Sequence, residues 1–395
     1  MRYVLTLGFA MLSSACSSED GDGSTAEKKE TVSFHFETDI DSGDEIEKCQ
    51  FVGMPADRGE LSIGSMFHEY SAGSHHFLVY RTELTEMPAG GEALVDCKES
   101  GWMSQVRGVV YAAQETKGRF EVPKGVAQTF APGEVLLVQT HYLNSKSTPI
   151  HAVIDFDMEL VDPAEVSTEA GVLFFYNPSI VLPPAQKSFA ELSCPLPEDA
   201  TIAFATSHMH KWGVKFRAES TDAATAGALG PLYETTEWSE PTPRVFSLDP
   251  PAVLPKGSSI RYRCDYDNPD PSTVVQGLSA ATNEMCMFVG LYWPRQERAV
   301  DFCFDGSVTT QGTKSALDSL KCMVACGGNK NAECMGQCWS AACPKAPTAL
   351  MGITRCLGDD CSPACYIDPT GSECASCAKA KCPSEYERFV GASCQ

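Results

Sequence analysis

The chain has 395 residues, of which 43% are hydrophobic and 21% are charged. This balance is typical of globular protein, excludes wholesale disorder and leaves room for two to three domains. The 52 acidic and 30 basic residues give a formal net charge of −22, which excludes nucleic acid as a partner because phosphate binding needs positive charge.

The N-terminal segment 1–16 has the pattern of a secretion signal. Arg2 provides a basic start, Val4–Leu12 is mostly apolar, and the segment is too short to span a bilayer. It ends in Leu-Ser-Ser-Ala-Cys, which resembles a bacterial lipoprotein cleavage motif with Cys16 as the lipidated residue. An ordinary signal peptide is the alternative. We therefore expect export to the outer membrane, periplasm or cell surface through a lipid anchor, or secretion, in either case into an oxidising compartment.

A polar tether is predicted at residues 17–31, and a β-rich region follows it. The clearest strand is Ile150–Leu160, in which apolar and polar residues alternate. Pro- and Gly-rich breaks separate many such segments, as in β-sandwiches or barrels. The further predicted strands are Glu134–Asn144, Thr201–Phe216, Ser259–Tyr266 and Met285–Trp293. A boundary near Asp162–Ala170 predicts two β-domains, at 32–165 and 166–305.

The remainder comprises a predicted linker, 306–320, and a cysteine-rich tail, 321–395. Twelve of the 19 cysteines lie in this tail, in two six-cysteine repeats about 39 residues apart. Cys-x-x-x-Cys spacing places two sulfurs on one face of a helix, so small disulfide-linked helices are predicted. Zinc at Cys374-x-x-Cys377 is the alternative. The pairing stays open, because six cysteines allow 15 connectivities.

Histidines carry the strongest chemical signal in the β-region. Five of the eight occur in three short motifs, which are His75-His76, His141-Tyr142 and His208-Met209-His210. His208 and His210 would project from one face of a strand. The adjacent His75 and His76 would point to opposite faces unless the chain bends there. Together, the motifs suggest imidazole sites for copper or zinc, and a thioether ligand would favour copper.

These motifs resemble the copper type II, ascorbate-dependent monooxygenases, such as peptidylglycine α-hydroxylating monooxygenase and dopamine β-monooxygenase. The resemblance covers residues 32–305, and the motifs follow the family's order. They are His75-His76, His141-Tyr142, His208-Met209-His210 and Glu284-Met285-Cys286.

The resemblance implies an all-β fold class, with two antiparallel, jelly-roll-like β-sandwich domains that face each other across a solvent-filled cleft. It implies two coppers per chain, the first held by His75, His76 and His141 and the second by His208, His210 and Met285. The second copper would bind O₂ beside a small-molecule substrate, and ascorbate or a similar one-electron donor would reduce both. The reaction would be hydroxylation of an activated C–H bond. The implied disulfides are Cys49–Cys97, Cys194–Cys303 and Cys264–Cys286.

Departures from the family pattern concern the substrate. Thr206 stands where peptide-hydroxylating members have an arginine, and Met287 and Val289 replace their polar groups. We therefore expect a substrate other than peptidylglycine. Phe77 replaces a methionine that often follows the histidine pair, at a position that is not a ligand.

Two other classes of function stay open at this stage. One is a non-catalytic copper-binding or electron-transfer lipoprotein on the same fold. The other is a surface interaction protein whose tail binds an unidentified partner. A zinc hydrolase would leave Met285 and one histidine set without a role, and the Gly-x-Ser-x-Gly motif of serine hydrolases is absent.

Overall fold

The computed structural model describes residues 30–71, 73–327, 331–361 and 364–394. The predicted signal peptide, the lipidation residue Cys16 and nearly all of the predicted tether lie outside these residues. Within them, no helix is long and apolar enough to cross a membrane. The described chain consists of two antiparallel β-domains followed by a helical, disulfide-rich tail, as predicted.

Two packed sheets form the N-terminal domain, in the strand orders β1-β10-β3-β8-β11, where β7 also pairs with β3, and β5-β2-β9-β4-β6. In β10, alternate residues such as Ile154 and Phe156 are buried, and the Phe156 ring lies 5.2 Å from that of Phe77 in the other sheet. The strands are β1 (Thr31–Ile40), β2 (Glu45–Gly53), β3 (Leu61–Tyr70), β4 (Ser74–Arg81), β5 (Val95–Asp96), β6 (Gly108–Ala113), β7 (Lys117–Glu121), β8 (Val126–Phe130), β9 (Val135–Leu143), β10 (Ile150–Val161) and β11 (Thr168–Glu169), with α1 (Cys97–Ser100) and 3₁₀ turns at Trp102–Gln105 and Pro163–Glu165.

The C-terminal domain packs the sheet β12-β22-β15-β18, where β19 also pairs with β15, against β17-β16-β20-β14-β23. The segment predicted as one strand, Thr201–Phe216, is two strands, because the chain turns between His210 and Gly213. The elements are β12 (Gly171–Tyr176), β13 (Val181–Leu182), β14 (Gln186–Pro195), β15 (Ala200–Met209), β16 (Gly213–Ser220), α2 (Ala223–Leu229), β17 (Tyr233–Thr235), β18 (Arg244–Val245), β19 (Ala252–Leu254), β20 (Ser259–Asn268), β21 (Val274–Val275), β22 (Cys286–Trp293), α3 (Arg298–Asp301) and β23 (Ser307–Val308).

An apolar interface joins the two β-domains. Tyr80 of the first domain packs against Phe174 of the second, with ring centroids 6.5 Å apart, and Phe174 packs in turn against Phe302 at 6.4 Å. Buried side chains from both domains, including Leu137 and Leu291, belong to this one cluster. The burial of this surface stabilises the arrangement in which the ends of β4, β9 and β15 meet.

The tail forms a single unit from its two repeats. Within each repeat, two disulfides are nested, and the fifth cysteine of each repeat bonds to the sixth of the other. The disulfides are Cys322–Cys338 and Cys326–Cys334, then Cys361–Cys377 and Cys365–Cys374, with Cys343–Cys394 and Cys356–Cys382 between the repeats. The helices are α4 (Ala316–Ala325), α5 (Ala332–Ala341), α6 (Ala346–Asp360), α7 (Ala364–Ile367), α8 (Ser372–Lys381) and α9 (Pro383–Gly391).

This unit lies against the C-terminal domain. The Thr348 hydroxyl donates to the Gly306 carbonyl at 2.7 Å, and the Arg355 guanidinium lies 4.2 Å from the Phe302 ring centroid. The predicted linker 306–320 contains β23, which pairs with β14, and the start of α4. The tail is therefore docked on the β-domains in this structure.

Candidate metal centre

Three histidines of the N-terminal domain lie on neighbouring antiparallel strands. His76 on β4 stands directly opposite His141 on β9, and the register is irregular between Ser74 and His76. This irregularity turns His75 to the same side as His76, the bend that the adjacent pair requires to share a metal. The ring centroid of His141 lies 4.8 Å from that of His76 and 5.2 Å from that of His75.

The C-terminal domain presents His208, His210 and Met285. His208 is the second-last residue of β15, and His210 follows in the turn to β16. Their ring centroids are 5.1 Å apart. The ladder between β15 and β22 ends with Met209 opposite Cys286, and His210 and Met285 are the next residues at that end of the two strands.

The two histidine sets adjoin each other. The ring centroid of His208 lies 5.4 Å from that of His76 and 5.8 Å from that of His75. The family resemblance implies a solvent-filled cleft between the sets, and the structure instead brings them into contact. A hydrogen bond across the domain boundary, between His208 Nδ1 and Gln114 Oε1 at 2.8 Å, holds the second set against the first domain.

Each of the five imidazoles keeps one buried ring nitrogen without a protein partner among the described residues. In three of these imidazoles the other ring nitrogen makes a hydrogen bond. His208 Nδ1 lies 2.8 Å from Gln114 Oε1, His210 Nδ1 lies 2.9 Å from the Asn283 carbonyl, and His141 Nε2 lies 3.0 Å from Glu45 Oε1. The unpartnered atoms are His75 Nε2, His76 Nδ1, His141 Nδ1, His208 Nε2 and His210 Nε2.

Metal binding is the arrangement that satisfies these nitrogens. Buried polar atoms normally have partners, and ring nitrogens opposite a fixed hydrogen bond are the usual metal ligands. The ligand atoms of His75, His76 and His141 all lie within 4.8 Å of one another. The residues present therefore fit a soft or borderline transition metal.

Burial keeps four of the five imidazoles neutral, as ligation requires. It lowers the pKa of His75 to about 3 and that of His210 to about 4, with nearby histidines contributing at both. The pKa values of His76 and His208 are held well below 6.5 by the same two causes. These four rings thus offer lone pairs rather than protons at neutral pH.

Two carboxylates support the cluster from opposite domains. Glu45 on β2 accepts hydrogen bonds from the Ala280 amide at 3.0 Å and the Ser279 hydroxyl at 3.3 Å, in addition to its contact with His141. The hydrogen bond with His141 is the main cause that lowers the pKa of Glu45 to about 2. Glu45 therefore connects a first-domain ligand to a loop of the second domain.

Glu284 organises the C-terminal side of the centre. Its carboxylate accepts hydrogen bonds from the backbone amides of His210 at 2.9 Å, Trp212 at 2.9 Å and Met285 at 3.0 Å. Burial raises its pKa to about 7 even though these amides oppose the shift. One buried side chain thus holds the turn that carries His210 and the backbone of Met285.

The other three histidines lie apart from this cluster. His68 is buried with both ring nitrogens engaged, by the Tyr111 hydroxyl and the Glu115 carbonyl, each at 2.7 Å. His35 and His151 are exposed on the outer face of the first sheet. The three short motifs singled out in the sequence therefore contain all the histidines that meet here.

A cavity of about 270 Å³ opens beside the histidines between the two domains. His76, His208 and Met285 form part of its wall, together with Glu47, Glu115, Gln139, Thr206 and Ser207. The apolar lining consists mainly of Leu78, Met103, Phe174, Phe204, Met287 and Val289. None of the described lining residues is a lysine or arginine, and none belongs to the tail.

The three disulfides of the β-domains are Cys49–Cys97, Cys194–Cys303 and Cys264–Cys286, the pairs that the resemblance implies. Cys286 directly follows Met285, so the last of them anchors the start of β22 beside the centre.

Sequence reasoning missed Glu45 and Gln114. Gln114 follows β6 in the first domain, and its amide nitrogen donates to the Trp238 and Ser239 carbonyls, each at 2.8 Å, while its oxygen faces His208. Neither residue lies in a recognisable motif, since their partners are at least 94 positions away in sequence.

Comparison with known proteins gives one family match. Residues 168–315 match the model described as "Copper type II ascorbate-dependent monooxygenase, C-terminal domain". No curated protein matches the chain in sequence.

Several solved structures are weakly similar. The major capsid protein P2 of Bacteriophage PM2 is 10% identical over 67% of this chain and 99% of its own, with a TM-score of 0.28. The STIV MCP is 9% identical over 67% and 97%, with a TM-score of 0.28. PNGF-II is 8% identical over 68% and 65%, with a TM-score of 0.24. Structural similarity at this level supports no inference about this chain.

The family match covers His208, His210, Glu284 and Met285. It supports an oxidoreductase and indicates, for this part of the chain, the copper- and ascorbate-dependent chemistry of the family. The support therefore rests on the second β-domain, in which the segment 168–315 is similar to the C-terminal domain of the copper type II, ascorbate-dependent monooxygenases.

Proposed function

We propose that the chain is a copper monooxygenase that hydroxylates an activated C–H bond of a small apolar substrate, with O₂ and ascorbate or a similar one-electron donor. The observation that carries the proposal is the convergence of five buried, unpartnered imidazole nitrogens beside Met285 and a cavity between the domains.

In this proposal, His75, His76 and His141 hold one copper, and His208, His210 and Met285 hold a second. Imidazole supports both copper oxidation states, and a thioether favours Cu(I). Bound copper would supply the one-electron steps that O₂ activation requires. Zinc carries out no redox chemistry, so a zinc enzyme would give no role to the Met285 thioether or to the second histidine set.

The chain's own groups position these ligands. Gln114 accepts the Nδ1 proton of His208, and the Asn283 carbonyl accepts that of His210, so both rings present Nε2 to the metal. Because Gln114 and Glu45 reach across the domain boundary, the arrangement of one set depends on the presence of the other domain. The mainly apolar walls of the cavity would disfavour water beside the metal.

The cavity indicates the class of substrate. Its walls combine aromatic and aliphatic side chains with the carboxyl groups of Glu47 and Glu115, and its described lining has no cationic group. A substrate carboxylate would enter a low-dielectric space in which none of the described lining side chains offers a counter-charge, which is costly. We therefore infer an uncharged or cationic, mainly apolar substrate and exclude peptidylglycine.

The test is turnover with metal analysis. The copper-reconstituted full chain should bind two coppers and consume O₂ in an ascorbate-dependent way with a panel of uncharged aromatic and aliphatic alcohols and amides. Hydroxylated product should match the O₂ consumed. Carboxylate analogues of the same compounds serve as controls and should be poor substrates. Two bound coppers without product from any compound would favour the electron-transfer alternative, and no copper binding would refute both.

Gln114→Leu tests the positioning role across the domains. The substitution removes the acceptor that orients His208, and loss of such a supporting group typically lowers metal affinity about 10–100-fold. We expect that decrease at the His208 and His210 site by copper titration, with a retained affinity at the His75 site. Gln296→Leu is the control, because the side-chain amide of Gln296 makes long hydrogen bonds, 3.4 and 3.5 Å, to the backbone carbonyls of Glu198 and Asp199. Equal copper affinities in both variants would contradict the role.

We also infer that the protein works outside the cytoplasm. Nine disulfides connect the described cysteines, as expected in an oxidising compartment. Export through the predicted signal, with lipidation at Cys16, is part of this proposal. Labelling with a radioactive fatty acid, compared between the native sequence and Cys16→Ser, tests the anchor.

A further inference from the structure

Helix α6 of the tail is in contact with other parts of the protein on two opposite sides. On one side, Leu350, Ile353 and Leu357 are buried in the core of the tail, among its disulfides. The residues on the other side follow the spacing i, i+3, i+4 and i+7, which places them in one stripe along a helix. They are Thr348, Met351, Gly352 and Arg355. This second stripe faces the β-domains.

The stripe contacts two aromatic side chains of the second β-domain that follow α3. The Arg355 guanidinium lies over the Phe302 ring, 4.2 Å from its centroid. At Gly352 the helix comes so close to Phe304 that an added Cβ atom would lie 3.3 Å from the ring. The two rings stack with centroids 5.7 Å apart. The helix therefore packs on an aromatic pair, and glycine permits the close approach.

The same side of α6 also contacts the first β-domain. The helix lies beside the 3₁₀ turn Trp102–Gln105. Met351 packs against the apolar cluster between the domains, which the side chain of Met103 in this turn also joins. The charge of Arg355 reaches Tyr80 on β4, where it opposes the rise in the pKa of Tyr80 that burial causes. One helix of the tail thus holds residues of both β-domains.

These contacts continue to the wall of the cavity between the domains. Phe302, which lies under Arg355, packs edge-on against Phe174 with ring centroids 6.4 Å apart, and Phe174 lines the cavity. Tyr80, whose ring is 6.5 Å from that of Phe174, and Met103 line it as well. The residues that α6 contacts therefore support the cavity wall from behind.

We propose that α6 is a clamp that fastens the two β-domains together and fixes the apolar wall of the cavity. The disulfides Cys343–Cys394 and Cys356–Cys382 hold α6 within the tail, so the helix docks as a preformed element, which lowers the entropy lost on docking. The tail is then part of the unit that bears the cavity, and not a separate module for an external partner. The clamp does not depend on the proposed function, whereas its effect on substrate binding rests on it.

Hydrogen exchange of the full, metal-free chain, followed by mass spectrometry, tests the clamp without any need for turnover. Gly352→Leu places a side chain against Phe304 and should lift the stripe from both domains. Overpacking typically shifts an equilibrium by about 5–100-fold. Amides of residues 102–106 and of β12 should exchange faster by a factor in this range. Those of β10, in the other sheet of the first domain, should exchange as in the native chain.

A second variant and a matched control separate the contact from the stability of the tail. Arg355→Met removes the charge over Phe302 and should accelerate the same amides by about 2–5-fold. Thr354→Leu, on the exposed side of the same helix, is the control and should exchange as the native chain does. Unchanged exchange of residues 102–106 in both Gly352→Leu and Arg355→Met would overturn the proposal. So would an equal acceleration in Thr354→Leu, because the cause would then be a weakened helix.

Steady-state kinetics of the copper-reconstituted Arg355→Met chain tests the support of the cavity wall. With any compound that the native chain hydroxylates, KM should rise about 2–5-fold and kcat should change less, because Phe174 loses its backing while the metal ligands are unaltered. Thr354→Leu should keep both values. An unchanged KM in Arg355→Met would overturn the role of the tail in the cavity wall. The exchange experiment needs no turnover, so failure of the proposed function can be told apart from failure of the clamp.

Discussion

Replacing Met285 with isoleucine should abolish hydroxylation while one copper remains bound to His75, His76 and His141. Isoleucine is similar in volume, and it has no sulfur ligand. Met285 is 8% exposed and its carbonyl accepts a hydrogen bond from the Tyr266 hydroxyl at 2.8 Å, a contact that the substitution leaves unchanged. Volume-conserving changes of this kind usually cost less than about 1.5 kcal/mol of stability.

The expected loss of turnover exceeds the roughly 10–100-fold that removal of a supporting group typically causes. Turnover would be measured as ascorbate-dependent product formation, and the bound copper would be measured on the same samples. Met287→Ile is the matched control. Met287 lies two residues further along the chain, on β22, is 4% exposed and lines the same cavity. The control should alter which substrates are accepted and keep turnover. Full activity of Met285→Ile would refute the assignment of the second site.

Local patterns in the sequence predict much of the fold. Ile150–Leu160 alternates strictly, and β10 occupies Ile150–Val161 with its alternate residues buried. The Cys-x-x-x-Cys spacing likewise predicts the tail helices, two of which, α4 and α5, begin at the side-chain caps Ser315 and Asn331. These features depend on neighbours within a few positions, which a periodic pattern expresses directly.

Features that depend on distant partners are not predictable in this way. The turn that splits the strand predicted at Thr201–Phe216 is held by Glu284, more than 70 positions later in the chain. The contact between the two histidine sets is held by a hydrogen bond between His208 and Gln114, which are 94 positions apart in the chain. The reciprocal disulfides between the tail repeats are one solution among many that the spacing allows.

The same contrast applies to the candidate site. Motif order and the family resemblance bring together the histidines and Met285 as candidates, and the structure adds the residues that hold them in position. Gln114, Glu45 and Glu284 each join segments from different parts of the chain. Their roles follow from geometry and burial, so they become visible only once the chain is folded.

Replacing Glu284 with glutamine should lower the free energy of unfolding of the metal-free protein by about 1–3 kcal/mol at pH 5, since a buried amide N–H would lose its acceptor. Glutamine has one oxygen, whereas the Glu284 carboxyl group accepts from three backbone amides through both of its oxygens. The amino group of glutamine would face at least one of these donors. The turn at His210 and the backbone of Met285 should therefore lose their fixed positions.

The pH dependence gives this prediction a second, independent outcome. Burial raises the pKa of Glu284 from 4.5 to about 7, so between these values the folded state binds more protons than the unfolded state. The native protein should then lose stability as the pH rises through this window. The variant lacks this group, so the difference between the two proteins should be smaller at pH 7 than at pH 5.

Glu115→Gln is the matched control for Glu284→Gln. Glu115 is also a carboxyl group whose pKa is raised by burial, and the amides that oppose the shift are its own and that of Gln114. The Glu115→Gln substitution should change the free energy of unfolding little at pH 5, because none of the described amides from another segment loses an acceptor. Urea denaturation of the three proteins at both pH values provides the measurement. Equal losses of stability in the two variants would show that Glu284 acts merely as a buried carboxyl group. The organising role assigned to its three hydrogen bonds would then be wrong.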